Sequence, residues 1–135
     1  MTLRLLVSAL LLLLLTIVNA ETLSSGEDVD TYVQKKIAGA DVMVFAKSYC
    51  PYCRHTKKLL GEVAPSELSV VVVELDQMED GPLIQMELMT TTGQRTVPNI
   101  FIKGKHIGGD SELTQLKESG ELETIFFDML ANQEI

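Results

Sequence analysis

The only two cysteines of this 135-residue chain stand three apart, in Lys47-Ser48-Tyr49-Cys50-Pro51-Tyr52-Cys53, directly after the apolar run Val42–Ala46. A short apolar run of that kind reads as a buried strand. Pro51 suits the first position of a helix, where its missing N–H loses no bond. Cys50 then falls at the helix N-cap, where unpaired N–H groups and the positive end of the macrodipole favour a thiolate. Lys47 is expected to add a second positive charge beside it. A cysteine so placed is acidified below the ordinary ~8.5 and becomes nucleophilic near neutral pH. Cys53 lies one turn further on, close enough to close a small disulfide ring.

Two blander uses of these cysteines fit less well. A bond between residues three apart closes a very short loop and removes little entropy from the unfolded chain, so it is a weak staple. A zinc site needs about four ligands. The chain has two histidines, His55 two residues beyond Cys53 and His106 far away in sequence, which would make an unusual cluster. No metal is therefore expected, and a redox dithiol fits the pair best.

The first twenty residues carry Arg4 as their only charge, then a leucine-dominated stretch of fourteen residues from Leu5 to Val18. Val18 and Ala20 occupy the minus-three and minus-one positions of a cleavage site before Glu21. Fourteen residues fall short of the ~20 that span a bilayer. Residues 1–20 read as a secretory signal peptide, with an uncleaved signal anchor as the alternative, and residues 21–135 as one domain. The expected location is the secretory pathway: the lumen of the endoplasmic reticulum or Golgi, or outside the cell. Membrane contact is expected only if the leader stays.

The whole chain has a formal net charge of −8, and beyond the leader ten basic residues face nineteen acidic ones. Nucleic acid is not an expected partner of so acidic a domain. Seven of those ten cations occupy two acid-free segments, Lys47, Arg54, Lys57 and Lys58 in 42–61 and Arg95, Lys103 and Lys105 in 88–109. If the two segments meet, they form a basic patch suited to a small anion.

Around the cysteines the pattern predicts alternating elements. Val29, Val33 and Ile37 form the stripe of a helix capped by Ser25 or Gly26 and ended by Gly39. The Pro51 helix is expected to stop near Gly61. Leu68–Leu75, with valines at 70–73, reads as a second buried strand, and Asp76–Asp80 as a loop. A helix from Gly81-Pro82 is expected to carry Leu83, Met86 and Met89 or Thr90 on one side. Asn99–Ile102 and His106–Ile107 form a hairpin about Lys103-Gly104-Lys105, and Asp110 or Ser111 caps one final helical region. The methionines and leucines are expected in the core. This α-β-α-β-α-β-β-α order predicts an α/β fold, with a four-stranded mixed sheet flanked by helices.

Cys50-Pro51-Tyr52-Cys53 after a strand, Thr96-Val97-Pro98, and Gly108-Gly109 together closely resemble the dithiol glutaredoxins. The run from Gly93 to Gly109 resembles them almost continuously, and the likeness extends from about Glu27 to Leu130. The resemblance implies a thioredoxin fold and a glutathione-dependent thiol-disulfide oxidoreductase that reduces protein–glutathione mixed disulfides and protein disulfides. It implies Cys50 as attacking thiolate and Cys53 as resolving thiol, the two forming the redox-active disulfide. Lys47 and Gln85 would contact the glycine-end carboxylate of glutathione, and Tyr52 would pack against the peptide. Val97, beside Thr96, would pair with the glutathione backbone, with Pro98 in a cis bond. Gly109, Ser111 and Glu112 would receive the γ-glutamyl end, Glu112 facing its ammonium. Glutathione would be a co-substrate with no tightly bound cofactor, and the partners would be glutathionylated or disulfide-bonded proteins met by a monomer. The alternatives are a glutathione-ligated iron-sulfur cluster protein, which Pro51 disfavours, and a secretory-pathway thiol oxidase or isomerase. Thioredoxin itself is disfavoured by the lack of tryptophan, and a disulfide isomerase by Tyr52 standing where that family has histidine.

Overall fold

The computed structural model describes residues 27–133; the leader and the proposed cap at Ser25 or Gly26 lie outside them. Helix α1 spans Val29–Ala38 and strand β1 Val42–Ala46. Helix α2 spans Pro51–Val63 and strand β2 Val70–Glu74, and a 3-10 turn covers Leu75–Gln77. Helix α3 is Gly81–Thr92, strands β3 and β4 are Asn99–Ile102 and Lys105–Gly108, and helices α4 and α5 are Asp110–Ser119 and Glu121–Ala131. The strand order is β2-β1-β3-β4. β1 and β2 run parallel, joined by α2 as a crossover, while β3 is antiparallel to both β1 and β4. This is the mixed sheet with helices on both faces expected of a thioredoxin fold.

Strand alternation divides the core. Val42, Val44 and Ala46 face one side with Ile100 and Ile102, where Cys53 and Leu60 of α2, Leu113 of α4 and Phe126 of α5 cover them. Met43, Phe45 and Phe101 face the other, under Val33 and Ile37 of α1 and Ile84 and Leu88 of α3. The hairpin turn is two residues long, Lys103 at φ 51° and Gly104 at φ 73°, the left-handed pair that matches strand twist.

Several sequence expectations need correction. β2 is an edge strand, and of its four valines only Val73 is buried. The buried face of α3 is Ile84 and Leu88; Leu83, Met86 and Met89 are exposed, so those two methionines are not core, whereas Met43 and Met129 are. α2 passes through Gly61, an exposed position where glycine costs a helix only about 1 kcal/mol relative to alanine. The final helical region is two helices, broken at Gly120 with φ 79°. Asp28, with extended backbone, precedes α1, and Gly109 rather than Asp110 or Ser111 is the N-cap of α4.

Candidate active site

Cys50 is the N-cap of α2 with extended backbone, and Pro51 opens the helix, as the local pattern requires. Cys50 is partly exposed, Cys53 is buried, and both are free thiols. Partial burial pulls the Cys50 thiol up. It is outweighed by the Cys53 N–H and thiol, then the Tyr52 N–H and the Arg54 charge, and the net shift is downward. The Arg54 charge is thus the leading cation acting on Cys50, and the Lys47 charge bears on Asp76. Cys53 moves the other way: burial, against a backbone N–H from Lys47 3.4 Å away, pushes it up to about 11. The two thiols therefore differ sharply in readiness to ionise.

Among the hollows that border the cysteine loop, two gather the expected site residues. The first, of roughly 430 Å³, is lined by Tyr52, Gln94, Thr96, Val97, Pro98 and Gly109 through Glu112. The Val97–Pro98 bond is cis, and the Val97 carbonyl lies 3.8 Å from the Cys50 sulfur. The second, of roughly 310 Å³, is lined by Lys47, Tyr49, Asp76, Pro82 and Gln85 among others. The structure therefore gathers Tyr52, Thr96, Val97, Pro98, Gly109, Ser111 and Glu112 into one groove, and Lys47 and Gln85 into the other. At the start of α4 the Gly109 N–H donates to Glu112 Oε2 at 2.8 Å. Gly108 makes room for that carboxylate, since a Cβ there would stand 2.8 Å from Glu112 Cγ. Gln85 uses its amide to donate to the Arg95 carbonyl at 2.9 Å, bracing the loop before β3.

The sequence and fold are similar to those of known proteins. The glutaredoxin family profile matches residues 42–107. Glutaredoxin-1 of Saccharomyces cerevisiae is 45% identical over 102 residues, covering 75% of this chain and 93% of its own. The chain belongs to the glutaredoxin family. Glutaredoxin-C4 of Arabidopsis thaliana is 40% identical over 113 residues, covering 84% of this chain and 82% of its own. The holo form of glutaredoxin C1 from Populus superposes with a TM-score of 0.70 at 38% identity, covering 76% of this chain and 98% of its own. A buckwheat glutaredoxin–glutathione complex does so at 0.69 and 38%, covering 74% and 88%. Membership makes this protein a glutathione-dependent thiol-disulfide oxidoreductase with a thioredoxin fold.

The supports of this glutaredoxin's site were not read from its sequence. Gln94 donates to the Thr96 and Pro98 carbonyls at 3.0 and 2.9 Å, strapping the cis loop from inside the groove. Asp110 accepts from the fully buried Thr56 hydroxyl at 2.7 Å and from His55 Nδ1 at 2.8 Å, tying α4 to the cysteine helix. Asp76 accepts the Ser48 hydroxyl and, at 2.9 Å, its N–H, which hold Asp76 below the usual carboxylate range and pin the loop before Cys50. The only local hint was a polar residue placed near each motif. The basic patch does not assemble as expected. Lys103 and Lys105 flank the hairpin beside Val42, at the opposite end of β1 from Cys50, and Lys57 pairs with Glu74.

Proposed function

We propose that this glutaredoxin reduces protein–glutathione mixed disulfides through Cys50 alone, and protein disulfides through Cys50 and Cys53 together. The observation that most supports this reading is the split in acidity between an accessible, acidified thiol and a buried one pushed up to about 11. Cys50 thiolate attacks the glutathione-side sulfur, the old S–S bond breaks, and the protein thiolate leaves and takes a proton. A second glutathione thiolate then attacks the glutathione sulfur on Cys50, forming oxidised glutathione and restoring the Cys50 thiolate. For a protein disulfide, Cys53 displaces the bound protein from Cys50, and two glutathiones reopen the ring.

The two hollows suit the two ends of glutathione. Lys47 offers its ammonium to the glycine carboxylate, with Gln85 alongside, and Tyr52 lies over the peptide. The Val97 backbone pairs with the glutathione backbone in a short strand-like addition. The N–H groups opening α4 at Ser111 and Glu112 receive the γ-glutamyl carboxylate. Glu112 has Oε2 engaged with Gly109, which leaves Oε1 for the ammonium. The leucine-rich leader supports a place in the secretory pathway.

The test is a pair of single substitutions assayed on a glutathionylated protein and on a protein disulfide. Cys50→Ser is expected to abolish both activities, and Cys53→Ser to spare deglutathionylation while losing disulfide reduction. Survival of deglutathionylation in Cys50→Ser, with its loss in Cys53→Ser, would reverse the roles.

A further inference from the structure

Lys57 follows Cys53 by four residues on α2, so the two side chains share one face of that helix. Its ammonium holds Glu74 Oε1. Glu74 ends β2 in register with Ala46, and the next residue, Lys47, gives its N–H to the Cys53 sulfur. The other carboxylate oxygen, Glu74 Oε2, is buried and has no hydrogen-bond partner among the described residues. A carboxylate with one dry, unpaired oxygen thus stands at the end of the sheet against which α2 packs the buried thiol. Such an oxygen is unfavourable in itself, and its charge opposes a second negative charge nearby.

Neither Lys57 nor Glu74 lines the two hollows, so glutathione binding does not account for the pair. We propose that the Glu74–Lys57 pair governs the resolving thiol: the Glu74 charge holds Cys53 protonated, Lys57 weakens that hold, and together they set how readily the Cys50–Cys53 ring closes. The proposal rests on Cys53 being the resolving thiol of the proposed function. In ring closure Cys53 gives its proton to solvent and its sulfur bonds to Cys50. The bond from Cys50 to the departing thiol breaks, and that thiolate takes a proton from solvent. The step is slowed by whatever keeps Cys53 protonated, whereas attack by Cys50 and removal of glutathione from the Cys50 adduct by a second glutathione do not involve Cys53. Glu74 is thereby a positioning charge that biases the enzyme toward glutathionylated substrates over protein disulfides. The direction agrees with the weak acidity of Cys53: burial pushes its pKa up most, and the Glu74 charge pushes it up further.

Opposite charge changes at the pair separate this from a purely structural ion pair, because Glu74→Gln and Lys57→Met both break the bridge. The Cys53 titration is followed by ultraviolet thiolate absorbance in a Cys50→Ser background. In the chain with both cysteines, conversion of the Cys50–glutathione adduct to the Cys50–Cys53 ring is timed by acid quench and mass spectrometry. Glu74→Gln is expected to lower the Cys53 midpoint by about half to one pH unit and speed closure about three- to tenfold. Lys57→Met is expected to raise the midpoint and slow closure. Movement of both variants in one direction, or no movement in Glu74→Gln, overturns the proposal. Loss of deglutathionylation in Cys53→Ser would instead overturn the functional reading and leave the titration result standing.

Discussion

The Thr56–Asp110 bond joins the cysteine helix to the helix that opens the groove, and its removal can be sized from the structure. Thr56 is fully buried, its hydroxyl donates to Asp110 Oδ1 at 2.7 Å, and Asp110 keeps a second donor in His55 Nδ1 at 2.8 Å. Thr56→Val preserves the shape and deletes the donor. A hydrogen bond to a charged group contributes ~1.5–3 kcal/mol. Because His55 still serves Asp110 and the carboxylate is partly open to solvent, the lower end applies, about 1.5–2 kcal/mol. For a domain of this size that corresponds to a fall in Tm of roughly 6–8 °C. The looser joint at Asp110 is expected to displace the Gly109–Glu112 segment and raise KM for glutathione about threefold, with kcat little changed. Denaturant unfolding of Thr56→Val, Asp110→Ala and the double variant is the assay. The two losses are expected to overlap by about 1 kcal/mol, since both delete the same bond. Additivity to within ~0.3 kcal/mol would refute the reasoning, because the bond would then carry no energy of its own.

Three further outcomes follow from the geometry. Arg54→Gln is expected to shift the pH profile of Cys50 alkylation to higher pH, since the guanidinium favours the thiolate, while Lys47→Gln leaves it in place; an equal shift in both would restore Lys47 as a cation acting on Cys50. Gly81→Ala puts a Cβ 1.8 Å from the Leu75 carbonyl oxygen, and a clash with backbone is expected to cost roughly 1–3 kcal/mol and to weaken glutathione binding by moving the start of the Gln85 helix; an unchanged Tm would show that α3 adjusts freely. Mass spectrometry of protein from cells is expected to find an N-terminus at Glu21, whereas an intact leader in the membrane fraction would support the anchor and diffuse cytosolic protein would refute both readings.

What was legible in the chain is what local physics governs. A strand of five apolar residues, a proline at a helix start and a cysteine just before it form a unit whose geometry needs no distant partner, so the Cys50 N-cap was readable residue by residue. The hairpin was readable for the same reason, although Lys105, expected in the turn, begins β4. The groove residues were reached through the family likeness, not through periodicity.

Tertiary structure alone decided the rest, because sequence pattern carries no information about which neighbour arrives. Four consecutive valines look buried, yet β2 lies at the sheet's edge because strand order, not composition, assigns the outer place. Helix α3 offers two apolar stripes, and contact with α1 and the sheet buries Ile84 and Leu88 while leaving Leu83 and Met86 in solvent. Thr56 meets Asp110 across 54 residues, and Lys57 meets Glu74 across 17. These pairings join side chains on different elements and follow from how the helices and strands pack. The residues that perform the chemistry were thus written locally, and those that hold and tune them were chosen by the fold.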